Sequence, residues 1–325
     1  MTTKLARTLN ITNRHGIMII GILLLITLFG CGSKDNGIDV QPSSTIQSTA
    51  TYTPLPTKTS TPTPTQTAIP PTPTLGIGST MMGKDGMTLL YVPAGKFIMG
   101  SDNNGDAKPA HLVYLDAFWI DRTEVTNKMY AQCVDSGKCS APSESKSYTR
   151  SSYYGNSQFD NYPVIYVSWD DASKYCAWAG KKLPTEAQWE KAASWDDAKK
   201  EKRVYPWGNA FDKILLNSSE GGKGDTTSVG SYANGASPYG VMDMAGNAWE
   251  WVADWYASYP SGTQRNPTGP TTGQLRVLRG VLCAAGRGSI LQTTSARRVA
   301  STTSQSTGAP SWVFVASSSF SCPGF

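Results

Sequence analysis

The chain has 325 residues, enough for one large domain or two ordinary ones, and 29 Lys and Arg against 24 Asp and Glu give it a formal charge of +5. Three of the positive charges, Lys4, Arg7 and Arg14, sit in the first segment, and no Asp or Glu occurs from Trp255 onward. The excess is therefore uneven, and without a basic patch interleaved with aromatic residues it excludes nucleic acid as a partner.

In chain order, those charges precede an unbroken apolar run from Ile17 to Phe29, the layout of an export signal and short for a membrane-spanning helix. Leu28 to Cys31, LFGC, resembles a bacterial lipoprotein cleavage box. Residues 1–31 are thus expected to be a lipoprotein signal peptide with Cys31 as the lipidated residue. That places the rest outside the cytoplasm, at the cell surface or in the periplasm, tethered to the membrane through lipid. Residues 32–81 are Thr/Pro-rich, and from Gln41 to Thr80 they carry no charge except Lys58. Such a segment has little apolar area to offset its conformational entropy, so it is expected to be a disordered stalk.

The globular region is expected over 82–280. LLYVPAGKFIMGS, with Pro93, Gly95 and Gly100, fits short strands joined by tight turns, and HLVYLDAFWIDRTEVT alternates from Leu112 to Ile120. Val125, Met129 and Cys133 recur every four residues behind Thr123, which predicts a helix capped by Thr123. SWDDASKYCAWA predicts a second helix with Trp169, Ala172, Cys176 and Ala179 on one stripe and a capping box between Ser168 and Asp171. LPTEAQWEKAA repeats the device with Thr185 and Gln188, turning Trp189 and Ala192 inward. Beyond Tyr205, Gly, Asn, Asp and aromatic residues predict long ordered loops held by buried indoles or a metal. Cys133 and Cys139, six residues apart, are expected to form a disulfide in an oxidising compartment.

VPAGKFIMGS, FWIDRTEVTN, YPVIYVSWDDASKYCAWAGKKLPTEAQWEKAA, YPWGN, SPYGVMDMAGNAWEWVADW and RVLRG, spread over Leu89 to Gly280, resemble the formylglycine-generating enzyme family, the sulfatase-modifying factors. The resemblance implies an α+β domain of the C-type-lectin-like kind, with little regular secondary structure and structural calcium. Carried over position by position, it makes Asp243 the carboxylate ligand and Met244, Gly246 and Ala248 carbonyl donors. A second calcium site begins at Asn217 and Ser218, with Gly221 where the enzymes keep an acid.

The family continues RVLRG as RGGSW, then an R-S-A-x-R group, then LGFRC, and this chain has none of these after Gly280. In a shifted frame, the codons for Cys283–Gly288, Ser295–Ala300 and Ser311–Ala316 permit all three motifs at the family's spacing. Residues 281–325 are therefore expected to be an aberrant, disordered tail produced by a frameshift. Cys176 would pair with the cysteine of GFRC in the resembling enzymes, and that partner is lost. The oxidases hold copper(I) with two thiolates shortly after GGSW, and neither reading frame supplies that pair. Only His15 and His111 exist, which excludes a His-based metal cluster or triad. The expectation is a non-catalytic domain without catalytic residues or copper, binding a glycan or protein ligand. Formylglycine-generating oxidation of a sulfatase cysteine is the alternative.

Overall fold

Short strands dominate the fold because apolar runs are cut every few residues by glycine, proline and polar turns. The structure, a computed structural model, describes residues 74–103 and 107–280 and the backbone of three short strands beyond Gly280. These all lie within one compact unit, Ile69–Phe325. The signal-like segment with Cys31, most of the stalk, Cys283 and Cys322 fall outside the described residues. Among the described residues no helix is long and apolar enough to cross a membrane.

β1 (Thr80–Met82), β2 (Thr88–Val92), β3 (Gly95–Met99), β4 (His111–Leu115) and β5 (Phe118–Asp121) come first. Three helices follow, α1 (Asn127–Asp135), α2 (Trp169–Trp178) and α3 (Glu186–Ser194), then a small hairpin of β6 (Trp195–Asp196) and β7 (Glu201–Lys202). After a long loop region come β8 (Trp249–Trp255), β9 (Gln264–Arg265) and β10 (Leu275–Gly280), and finally β11 (Arg297–Ala300), β12 (Trp312–Phe314) and β13 (Ser317–Ser318). One four-stranded sheet has the order β1-β2-β5-β13, another β11-β10-β8-β12, and a three-stranded sheet β3-β4-β9. β8 and β10 pair antiparallel with a register shift between Arg276 and Leu278, while β12 runs parallel to β8.

Both predicted capping boxes are present. Ser168 accepts from the Asp171 amide and Asp171 from the Ser168 amide, and Thr185 and Gln188 exchange the same pair of bonds. Each satisfies two donors that a helix start leaves bare. Trp189 and Ala192 are fully buried, as their spacing predicts. The first helix begins later than expected. Its cap is Thr126, not Thr123: Thr126 Oγ1 accepts from the Met129 amide at 3.2 Å. The reason is tertiary, because Thr126 is held extended opposite Pro163 by bonds on either side of it to the 162–164 segment (Val164 N to Val125 O and Asn127 N to Tyr162 O, both 2.9 Å). Cys133, on α1, is joined to Cys139 in a disulfide.

Between Arg203 and Ala248 the described chain has two short 3-10 turns, Ser219–Gly221 and Ala233–Gly235, and an isolated bridge between Tyr205 and Gly208. Side chains hold this region. The Asp225 carboxylate accepts from Ser147 Oγ, from the Thr149 amide and hydroxyl and from the Thr226 amide, and pairs with Arg150 at 3.0 Å. The core lies against α3 on one side, with Val92, Phe97, Val113, Ile120 and Val252, and against α2 on the other, with Tyr130, Tyr175, Trp251 and Leu278.

Candidate functional site

The loop from Val241 to Ala248 turns inward through three left-handed residues, Asp243 (φ 60°), Gly246 (φ 90°) and Asn247 (φ 60°). Glycine is required at 246, since a Cβ there would stand 2.5 Å from the Asn217 carbonyl oxygen and 3.1 Å from its amide nitrogen. This close approach brings the two sequence-predicted calcium loops together. Asn247 N donates to Asn217 O at 2.9 Å, and Asn217 Nδ2 donates to Asn247 Oδ1 at 3.1 Å. Asp243, Met244, Ala248, Asn217 and Ser218 are all buried.

Three buried carboxylates, Asp243, Glu124 and Glu250, are coupled through their charges around this loop. Asp243 Oδ2 accepts from the Gly230 amide at 2.6 Å, and Glu250 Oε2 accepts from Trp189 Nε1 at 2.6 Å. Glu250 Oε1 and both oxygens of Glu124 are buried without a hydrogen-bond partner among the described residues. A buried carboxylate without a donor or cation is costly, so it takes up a proton or an ion. Burial first, then the charges of Asp243 and Glu250, pushes Glu124 well above the usual carboxylate range. Burial likewise raises Asp243 and Glu250.

These hard, under-satisfied oxygens fit calcium, whose shell of six to eight oxygens readily mixes carboxylates and backbone carbonyls. Side chains alone do not build a cage, because among the described residues no three of His, Cys, Asp and Glu gather as a metal-holding group. Carbonyls of the 244–248 turn would supply much of the shell. At the second predicted site, Asn217 Oδ1 and Ser218 Oγ are buried without partners. The acid that the fold brings there is Asp225, whose backbone oxygen accepts from Asn217 Nδ2 at 2.9 Å, but its carboxylate is already neutralised by Arg150. Glu124 and Glu250 were missed by the motif reading. Their signal is a single acid inside an otherwise apolar strand or strand end, as in Trp249-Glu250-Trp251.

A second polar centre joins α3 to β10. Arg279 is fully buried, with Nη1 3.0 Å from Glu186 Oε1 and Nη2 2.8 Å from Glu190 Oε2, and it lies over the Trp189 ring. Glu190 also takes Lys202, and Glu186 accepts from Tyr259 Oη.

Trp249 and Trp251 on β8 are core residues, while Trp207 in the loop after Tyr205 and Trp255 at the end of β8 are half-buried; among the described residues the exposed large rings are Tyr148 and Phe211. Concave surface lies elsewhere. A cleft of about 570 Å³ runs between α2, α3 and the 266–268 loop, lined by Trp169, Lys182, Gln188 and Asn266. Cys176 is buried, and burial, with Asp121 close by, pushes its thiol well above the ordinary range.

A family model described as "Sulfatase-modifying factor enzyme 1-like domain" matches residues 80–311. The chain is 35% identical over 210 residues to a Chlamydia caviae protein named serine/threonine-protein kinase pkn1, covering 59% of this chain and 32% of that one. It is 32% identical over 229 residues to hercynine oxygenase of Mycolicibacterium smegmatis (59% and 53%) and 30% identical over 250 residues to formylglycine-generating enzyme of Bos taurus (59% and 64%). The chain thus spans from about a third to just under two thirds of these relatives. Among solved structures, Treponema denticola variable protein 1 superposes with a TM-score of 0.59 at 19% identity, covering 74% of this chain and 98% of that one. Ordered motifs, the shared α+β fold with few helices and a match over most of the chain make it a member of the sulfatase-modifying factor enzyme 1-like domain family.

Proposed function

We propose that this chain is a lipid-anchored, extracytoplasmic protein whose domain, carried on a Thr/Pro-rich stalk, binds a glycan or protein ligand and does not oxidise it. The sulfur inventory carries this reading. Of six cysteines, Cys31 lies in the lipoprotein box, Cys133 and Cys139 are bonded to each other, and Cys176 is buried with its thiol strongly protonated. Cys283 and Cys322 remain, 39 positions apart in sequence, whereas copper(I) in a formylglycine-generating oxidase needs two soft donors side by side. The cleft beside Trp169 offers a concave surface for a ligand. Calcium, held by Asp243, Glu124 or Glu250 and the carbonyls of Met244, Gly246 and Ala248, would serve structure by neutralising buried acids. The residues after Gly280 are read as the product of a shifted frame, which the nucleotide sequence around the Gly280 codon tests directly.

The second reading, oxidation of a sulfatase cysteine to formylglycine, is favoured by relatives bearing the name of that enzyme. A cysteine-containing sulfatase peptide incubated with the protein, copper(I) and oxygen separates the two. No aldehyde and no stoichiometric copper uptake is the expected result; aldehyde formation overturns the binding reading.

A further inference from the structure

Where β8 ends, Asp254 and Glu186 face a cavity of about 300 Å³ between the 255–260 and 267–270 segments. Both acids are more than nine-tenths buried. Each has one oxygen engaged. Asp254 Oδ2 accepts from the Glu186 amide at 2.8 Å, and Glu186 Oε1 takes Arg279 and Tyr259 Oη. Among the described residues nothing donates to Asp254 Oδ1 or Glu186 Oε2, and Asp254 forms no ion pair. Gly269 leaves the Asp254 oxygen open, since a Cβ there would stand 3.0 Å from it.

Charge pairing around the cavity is uneven. Glu186 and Glu190 are ion-paired to Arg279 and Lys202, whereas Asp254 has no ion pair among the described residues, and the further cation that acts on it, Arg276, is shared with Asp170. The lining is mixed: Met99, Trp255, Pro260 and Pro270 give it carbon and Ser258, Gln264 and Thr268 give it polar atoms, while the His111 and Tyr259 rings lie 5.2 Å apart. Among the described residues no three His, Cys, Asp or Glu side chains gather as a metal-holding group. A single charge at the tip of an aliphatic stem matches the Asp254 carboxylate, which has no ion pair, and the aliphatic and aromatic part of this lining.

We propose that this cavity is a binding site for a primary alkylammonium cation, with the ammonium on Asp254 Oδ1 and Glu186 Oε2 and the alkyl stem against Tyr259, His111 and Met99. The cation comes from a free amine or from a lysine side chain, which share this chemistry. The site goes beyond the function proposed above and stands whether or not the domain oxidises anything.

The site is pH-dependent. Burial, then the charge of Glu186, pushes Asp254 up to about 7. The charged and titratable groups around it are Glu186 and Glu190 on α3, Arg276 and Arg279 on β10, His111 on β4 and Tyr259 in the loop. An ammonium binds the ionised form, whose fraction falls roughly 30-fold between pH 8 and pH 5.5 for that midpoint.

The test titrates the full chain with n-butylammonium, Nα-acetyl-lysine methylamide and n-butanol by calorimetry, and follows the Asp254 carboxyl by carbon NMR. Binding of either amine at pH 8, about 30-fold weaker at pH 5.5, absent for butanol and lost in Asp254→Asn, supports the site. Tighter binding of the lysine derivative assigns the source to a polypeptide, and tighter binding of butylammonium to a free amine. Should Asp254→Asn fail to fold, the wild-type titration decides: saturating butylammonium lowers the Asp254 midpoint by at least one pH unit. An unchanged midpoint, equal binding of butanol, pH-independent binding, or no binding by the folded protein overturns the proposal.

Discussion

Replacing Arg279 with methionine tests the junction between α3 and β10. The guanidinium is fully buried and bridges Glu186 and Glu190 at 3.0 and 2.8 Å, so its loss leaves two carboxylates in the core with Lys202, the Gly100 amide and Tyr259 as remaining partners. Breaking a buried pair by removing one partner costs about 3–5 kcal/mol. With a urea slope of about 2 kcal/mol per molar, the unfolding midpoint falls by about 1.5–2.5 M. The pH response identifies the cause. In the native protein Glu190 is held below its ordinary value, against burial, by Lys202 and then Arg279. Such a group contributes stability above its unfolded pKa and loses it as pH falls. Without Arg279 that lowering weakens, so the variant's deficit against the native protein shrinks as pH drops from 7 toward 4.5. Urea unfolding followed by tryptophan fluorescence at pH 7.5 and 5.0 measures both effects. A deficit below about 1 kcal/mol, or one equal at the two pH values, refutes the assignment of Arg279 as the compensating charge.

Two further outcomes follow from the loop beside Glu124. Because Glu124 is raised in the folded state, its contribution is full below its unfolded pKa and lost as pH rises, so the calcium-stripped protein melts lower at pH 7.5 than at pH 5.5. Calcium at 100 times its Kd restores about 2.7 kcal/mol, a rise of roughly 5–10 °C by calorimetry, and Glu124→Gln shrinks that rise while stabilising the stripped protein. Gly246→Ala drives a methyl onto the Asn217 carbonyl at a positive φ, which lowers the melting temperature by several degrees and is read in the same scan.

Local signals in the sequence were reliable where local chemistry decides the outcome. Ser168/Asp171 and Thr185/Gln188 start their helices with bonds made within four residues, and no distant contact overrides them. Thr123 failed as a cap because pairing with Val164 and Tyr162, about forty residues away, fixes the entry to α1. The candidate site divides in the same way. Asp243 and Gly246 lie within one motif and were legible there. Glu124, more than a hundred residues upstream, joins them only through the fold, and Asp225 meets Asn217 there through its backbone oxygen while its carboxylate is turned to Arg150. Arg279 stood out in RVLRG only as part of a signature, since its acid partners lie about ninety residues away on α3.

β8 is bordered on one side by β10 and on the other by β12, and β10 is in turn bordered by β11. Ladder pairing runs through amides and carbonyls that every residue but proline carries, so a neighbouring strand is accepted with little regard to its lettering. Strands from the terminal stretch therefore border β8 and β10 through backbone alone and take over as the outer edges of this sheet. What a change of side chains there would put at risk is the filling beneath the sheet, where shape is judged side chain by side chain.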